Sequence, residues 1–281
     1  MTNYNLTDIQ TLKDLLKKFR FHTNKDLGQN FLICEKPLKK IIEVANITDK
    51  DEIIEIGPGP GVLTQELLKS PAKKVDALEF DSNIIPVLEH VTKDYKNLTI
   101  YNVNALKFEP THSGYLLIAN IPYYLTSPIL RHYLGNKNAP KRAVLLMQKE
   151  VAEKICAKTD DQSILSLEVA IYGEATIEDI VLKDKFFPAP KVNSAILKIE
   201  MFDKCLIPEK YLSDFWKITK LAFSQKRKKI GNTLGKSKAN KDKIFNDIFD
   251  EIGIGKDRRA QTLSVREWLE IVKKKNSDTK I

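Results

Sequence analysis

The chain has 281 residues, 42% of them hydrophobic and 30% charged, and 46 Lys and Arg outweigh 37 Asp and Glu for a formal net charge of +9. That length accommodates one large domain or two unequal ones with a sizeable core, and the basic balance points to a polyanionic partner, nucleic acid before an anionic membrane. Cys34, Cys156 and Cys205 are far apart, no CxxC occurs, and the four His do not gather near them, so neither a metal site nor a disulfide framework is expected.

The N-terminal stretch MTNYNLTDIQTLKDLLKKFR has no apolar signal core, and no apolar run approaches the roughly 20 residues of a membrane span. A soluble cytoplasmic protein is the expectation. Residues 8–20 predict a short basic amphipathic helix. LGQNFL, from Leu27, is a loop that turns apolar, and Pro37 sits in the first turn of a helix running to about Ala45. Ile53, Ile54 and Ile56 predict a buried strand of a parallel sheet, followed by a glycine turn and a helix from Val62 to Lys69. KVDALEFD predicts a strand ending at Glu79, Asn83 to Val91 a helix, LTIYNVNAL a strand ending near Asn104, and YLLIAN a strand ending at Asn120. Ala143 to Gln148 is a further strand, with a helix from Lys149 to Ala157. TIEDIVL and SAILKIE are two more strands around FFPAPKV.

Strands alternating with helices predict a doubly wound, Rossmann-like α/β sheet. Beyond about Met201 the strand pattern stops. Leu212, Phe215, Trp216, Thr219 and Ala222 recur at helical spacing. KDKIFNDIFDEIG is a second helix stopped by Gly253. Ser264, with Glu267 three residues on, opens a third in a capping-box pattern. An α/β domain over residues 1–203 and a small all-helical domain over 204–281 are therefore expected.

EIGPGPG places Gly57, Gly59 and Gly61 between a strand and a helix, where glycine permits positive φ and close approach of a ligand to the backbone. No lysine follows as in a phosphate loop. The spacing GxGxG resembles the S-adenosylmethionine (SAM) loop of Rossmann-like methyltransferases more than the GxGxxG of dinucleotide folds. Glu79 ends the next strand, where a carboxylate can accept from both hydroxyls of a ribose. Asn104 ends the third, where an adenine-binding side chain could sit. Both placements also suit an NAD enzyme, and the motif after the fourth strand separates the two.

That motif is NIPY. Ligands of doubly wound sheets bind outside the carboxyl ends of the strands, so Asn120, Ile121, Pro122 and Tyr123 face the reactive end of a cofactor. The nitrogen of an aromatic amine such as adenine's is a poor nucleophile because its lone pair is delocalised. Two acceptors, the Asn120 side-chain oxygen and the Ile121 carbonyl, can take hydrogen bonds from the NH₂ and draw it toward tetrahedral geometry. Those bonds strengthen as charge grows on nitrogen in the transition state. Pro122 fixes the turn that aims them, and Tyr123 offers a flat face to an extruded base. The competing reading is an Asx-type turn with a buried tyrosine. Phe187 of FFPAPKV is a candidate second stacking face, against simple core packing of both phenylalanines.

LGQNFL, EIGPGPGVLT, NIPYYLTSPIL and FFPAPKVNSAIL together resemble the ribosomal RNA adenine dimethyltransferase superfamily. The C-terminal AFSQKRKKIGNTL and GIGKDRRAQTLSVREWLEI look like its housekeeping small-subunit (16S) branch rather than the large-subunit resistance methylases. The resemblance runs from about Asp26 to Ile271. It implies SAM as cofactor, with Asn30 and Leu32 in contact with it. It implies Gly57 in the glycine loop, Glu79 on the ribose, residue 104 at the adenine and Asn120 at the methyl-transfer centre. It also implies dimethylation of two adjacent adenosines near the 3′ end of 16S rRNA. The family usually has Asp where this chain has Asn104. An amide oxygen can still accept there and its NH₂ can donate.

Lys226, Arg227, Lys228 and Lys229 follow a helix of the C-terminal region, and Arg258 and Arg259 occupy another loop of it. Such residues position RNA phosphates. Lys25 and the basic N-terminal helix are further candidates. The partner expected is 16S rRNA within the small subunit or its precursor, with no membrane and no obligate protein partner. A non-catalytic RNA-binding factor reusing the fold is the alternative of another class, which an intact NIPY argues against. A nicotinamide-dependent reductase is disfavoured by GxGxG.

Overall fold

The structure is a computed structural model, and it describes residues 4–24, 26–157, 160–225, 227–235 and 244–278. In chain order the elements are α1 (Ile9–Lys18), β1 (Phe31–Leu32), α2 (Glu35–Ala45), β2 (Glu52–Ile56), α3 (Val62–Lys69), β3 (Lys74–Glu79), α4 (Ile85–Thr92), β4 (Leu98–Asn102), β5 (Leu116–Asn120), α5 (Thr126–Leu134), β6 (Arg142–Gln148), α6 (Lys149–Ile155), α7 (Ile164–Ala170), β7 (Gly173–Val181), β8 (Phe186–Phe187), β9 (Ser194–Met201), α8 (Glu209–Phe223), α9 (Ile230–Thr233), α10 (Ile244–Glu251) and α11 (Val265–Asp278).

The apolar runs read in the sequence become the centre of a seven-stranded sheet of order β4-β3-β2-β5-β6-β9-β7. β2 pairs in parallel with β3 and β5, β3 with β4, and β5 with β6. β9 returns antiparallel to β6, Ala143 facing Ile199. Leu117 to Ala119 of β5 and Ala143 to Met147 of β6 are buried without a break, as strands covered on both faces require. On one face Ile53, Val75, Ile118, Val144 and Ile196 join Ile41 of α2, Leu67 of α3 and Val87 of α4 in a continuous core. α1 begins where the Asp8 carboxylate accepts from the Thr11 N–H at 2.7 Å, a helix N-cap. It buries Leu12, Leu15 and Leu16.

The strand order changes direction between β2 and β5, with β3 and β4 on one side and β6 on the other. Diverging connections leave a crevice at the carboxyl ends there. The register puts Ile56 beside Leu78, Glu79 beside Asn102 and Asn120 beside Leu146, so the strand-end residues singled out in the sequence lie along one edge. A two-stranded ribbon pairs β1 with β8 antiparallel.

Two units emerge, residues 1–152 with 175–201, and 153–174 with 202–281. The boundary near Met201 follows the end of the strand pattern. The expected single cut at 203/204 misses the segment 153–174, which groups with the helical unit. The reason is the apolar face of α7. Leu167 and, just beyond the helix, Ile171 are fully buried in a cluster with Phe215, Ile248, Phe249 and Trp268. The capping box at Ser264 is present, with the Glu267 carboxylate accepting from the Ser264 N–H at 2.7 Å and the Glu267 N–H donating to Ser264 Oγ at 3.2 Å. Among the described residues no helix is long and apolar enough to cross a membrane.

Candidate active site

A cleft of about 1100 Å³, counted out to open solvent, lies at the carboxyl ends of β2, β3 and β5 and is lined by the glycine turn, Glu79, Asn104 and the NIPY segment. The glycine turn forms its floor. Gly57 and Gly59 have φ of +68° and +55°, in the left-handed region that side chains rarely adopt. A Cβ on Gly59 would stand 2.9 Å from the Phe31 ring, so the loop and LGQNFL can close together only around glycine. The Gly59 N–H donates to Glu79 Oε2 at 3.1 Å, and the Asp81 N–H to Oε1 at 2.8 Å. Glu79 is 7% exposed. Burial raises its pKa, while the two N–H groups work in the other direction. A carboxylate with one fixed donor on each oxygen retains lone pairs for further donors. Asp81 in turn accepts from Gln29 Nε2 at 2.8 Å, tying LGQNFL to the end of β3.

The Asn120 Nδ2 donates to the Asn30 carbonyl at 2.9 Å, and the Asn30 Nδ2 donates to the Gly28 carbonyl at 3.0 Å. A backbone carbonyl can only accept, which sets the Asn120 amide with its NH₂ on Asn30 and its Oδ1 unengaged among the described residues. Ile121 is buried, and its N–H donates to the Leu146 carbonyl at 3.0 Å. Pro122, at φ −53° and ψ 128°, precedes a 3₁₀ turn, Tyr123–Leu125. Tyr123 is half-buried, and its hydroxyl lies 3.0 Å from Ser194 Oγ. Burial raises the phenol's pKa, the contact with Ser194 opposing it.

β4 ends two residues before Asn104. The Asn104 Oδ1 accepts from the Leu106 N–H at 2.9 Å, capping the 3₁₀ turn Ala105–Lys107. A backbone N–H can only donate, so the amide is set with its oxygen on Leu106, and its NH₂ has no partner among the described residues. Leu32, expected to contact a cofactor, does not line this cleft. It is 4% exposed within the core, and its neighbour Phe31 takes the place at the cleft. Phe187 is likewise displaced by Phe186, which lines the cleft, while the Phe187 ring lies 5.1 Å from the Lys13 ammonium at the margin of the core. Successive residues of an extended segment face opposite sides, and sequence alone does not say which of two phenylalanines faces in. The structure adds Gln29, Asp81, Phe186 and Ser194 to the residues at or behind the cleft. Each lies within a few residues of a motif, yet none has a local pattern that distinguishes it.

Of the basic residues, Lys25 and Lys226 lie outside the described residues. Arg227, Lys228 and Lys229 are exposed, and Lys229 is paired with exposed Arg259 in an antiparallel backbone bridge. Arg258 departs from the expectation of a phosphate ligand. Its guanidinium binds Glu267 and the Thr262 carbonyl, and its Nε donates to Thr262 Oγ1 at 3.2 Å. Although burial opposes it, Arg258 and Ser264 together hold Glu267 below the usual carboxylate range. The capping carboxylate at the start of α11 is thus what draws Arg258 inward.

The chain is similar to known proteins over most of its length. Residues 20–276 match the family model described as ribosomal RNA adenine dimethylase. The chain is 38% identical over 263 residues to ribosomal RNA small subunit methyltransferase A of Clostridium botulinum (strain Kyoto / Type A2), covering 91% of this chain and 95% of that one. It is 37% identical over 261 residues to the protein of the same name from Dehalococcoides mccartyi (strain ATCC BAA-2100 / JCM 16839 / KCTC 5957 / BAV1), covering 91% and 89%. Among solved structures it resembles a dimethyladenosine transferase from Plasmodium falciparum, with a TM-score of 0.79, 27% identity and coverage of 89% and 98%. It also resembles the 23S rRNA methyltransferase ErmE, with a TM-score of 0.71, 25% identity and coverage of 87% and 99%. With the match spanning both units, the chain belongs to the ribosomal RNA adenine dimethylase family.

Proposed function

We infer that this protein transfers methyl groups from SAM to the exocyclic amines of two adjacent adenosines near the 3′ end of 16S rRNA, during assembly of the small subunit. The observation that carries this reading is the fixed orientation of Asn120. Its NH₂ is anchored on Asn30 and its Oδ1 is left to accept at the end of β5. A structural Asx turn would use that oxygen locally.

The residues of the cleft suit SAM. The buried Glu79 carboxylate keeps acceptor capacity for two ribose hydroxyls, Gly57 and Gly59 let a ligand lie against the backbone, and Asn104 stands where an adenine edge would be met. When bound, SAM supplies an electrophilic methyl group on a cationic sulfur. The protein's part is to present the amine. Asn120 Oδ1 and the Ile121 carbonyl accept from the two N–H bonds and aim the nitrogen lone pair, and both contacts strengthen as positive charge develops on nitrogen. Tyr123 and Phe186 supply the faces between which an extruded base stacks. Arg227, Lys228, Lys229 and Arg259 contact phosphates.

The test is methyl transfer by the purified protein to small subunits from a strain lacking this gene, with dimethyladenosine mapped by mass. Two adjacent dimethylated adenosines are expected. No transfer to small subunits overturns the reading. The likeness to a 23S rRNA methyltransferase supports one other reading, a large-subunit substrate. Parallel assays on unmodified large subunits decide between them.

A further inference from the structure

The NIPY segment continues into a second tyrosine that the mechanism above does not use. Tyr124 is 57% exposed, one of seven large hydrophobic side chains left exposed among the described residues. Five of those, Ile9, Ile180, Leu182, Phe202 and Leu206, lie away from the cleft, and only Phe80 and Tyr124 line it. A Cβ on Gly28 would stand 3.5 Å from Tyr124 Cε1 and 3.3 Å from Pro122 Cβ, so one edge of the ring lies over the bare glycine of the LGQN loop, where a side chain would crowd it. Its hydroxyl makes no hydrogen bond among the described residues, unlike that of Tyr123, which is tied to Ser194. A 3₁₀ turn advances roughly 120° per residue. The two tyrosines therefore diverge, the inner one half-buried and the outer one exposed at the same cleft.

We propose that Tyr124 is a stacking platform for the nucleobase next to the target in the RNA strand, an inference that rests on the methyltransferase reading. Extruding one base leaves its neighbour without a stacking partner on that side. An aromatic face open to the cleft replaces the lost stack without reading the sequence. With two adjacent adenosines as substrate, the platform holds whichever is not reacting, so that the strand stays in register while the other occupies the inner site.

The experiment compares Tyr124→Phe, Tyr124→Leu and Tyr124→Ala. Readouts are steady-state methylation of unmodified small subunits, SAM affinity by calorimetry, melting temperature, and binding of a short unpaired oligoadenylate. Loss of one base–aromatic stack should raise the KM for subunits, and the Kd for oligoadenylate, on the order of 10-fold in the Ala and Leu variants. The Phe variant should match wild type, and SAM affinity and melting temperature should hold in all three. Leu performing as well as Phe would overturn the proposal, since an apolar contact without a π face would then suffice. An unchanged KM for Ala, or a loss of SAM affinity in step with KM, would overturn it too. Wild-type transfer, measured first, tests the methyltransferase reading separately. If it fails, the oligoadenylate titration still decides the platform, with equal binding by wild type and Ala counting against it.

Discussion

Asn120 and Asn30 stand 90 residues apart in sequence, and the Nδ2 of the first donates to the backbone carbonyl of the second at 2.9 Å. Replacing Asn120 by Ala should leave SAM affinity nearly intact and lower single-turnover methylation roughly 10²–10³-fold, the usual effect of deleting one preorganised hydrogen-bonding group at a reacting centre. Asn120→Asp should be no better. A carboxylate offers the Asn30 carbonyl no hydrogen and faces it with a second acceptor. Near-normal turnover in either variant would remove Asn120 from the mechanism.

Tyr123 and Ser194 form a hydroxyl pair, and Ser194 is 1% exposed. Tyr123→Phe should keep most activity, because the ring face does the stacking. It should lower stability by about 1–3 kcal/mol, since the Ser194 hydroxyl is left buried without its partner. Adding Ser194→Ala should recover part of that loss, a coupling that a double-mutant cycle in urea measures. Additive losses would show the contact to be energetically idle.

Asn104 caps the Leu106 N–H with its only side-chain oxygen. Asn104→Asp keeps that cap and supplies a second, charged acceptor toward the cleft. The SAM dissociation constant should fall on the order of 10-fold, as a hydrogen bond to a charged group contributes about 1.5–3 kcal/mol. Calorimetry reads this directly, and an unchanged or weaker affinity would place the adenine elsewhere.

Arg258 and Arg259 are adjacent but should separate cleanly. Arg259→Ala should weaken subunit binding and reduce the salt slope by about 0.7–0.9, one phosphate contact. Arg258→Ala should leave the slope alone and lower the melting temperature by about 2–4 °C, corresponding to roughly 1 kcal/mol. Arg258→Lys should not restore it, because an ammonium cannot span Glu267 and Thr262 as the guanidinium fork does. A slope reduced by Arg258→Ala would return that residue to the RNA surface.

Glu55, on β2, is buried, and neither carboxyl oxygen reaches a hydrogen-bond partner among the described residues. Burial pushes its pKa up to about 8 from the ordinary 4.5. The folded protein therefore keeps a proton that the unfolded chain releases. Its contribution to stability is full below about 4.5, declines as pH rises, and is gone above about 8. Glu55→Gln should flatten the fall in melting temperature between pH 5 and pH 8. An identical profile in the variant would mean that other groups govern it.

Much of this was legible locally. A continuous apolar run bounded by turn residues reads as a buried parallel strand wherever it lies. GxGxG followed by a strand-end carboxylate reads as a nucleoside-binding edge because spacing along the chain becomes position at the carboxyl ends of a parallel sheet. Asn120, Glu79, Gly57 and Gly59 were therefore found by counting residues, and all line one cleft. α5 and α7 were missed, and so was the grouping of 153–174 with the helical unit. A short apolar helix carries no label for the core it will join, and Leu167 and Ile171 acquire theirs only from Phe215 and Trp268. The same holds for the choice between Phe186 and Phe187, the capture of Arg258 by Glu267, and the pairing of Tyr123 with Ser194. In each case the deciding partner comes from another element, and only the packed chain brings it within bonding distance. Residue types and their local spacing were enough to bring these candidates to one cleft. Which way the Asn120 amide faces and which partner Tyr123 takes were decided by contacts distant in sequence, because a hydrogen-bonding group is available to a ligand only when the fold has not already engaged it.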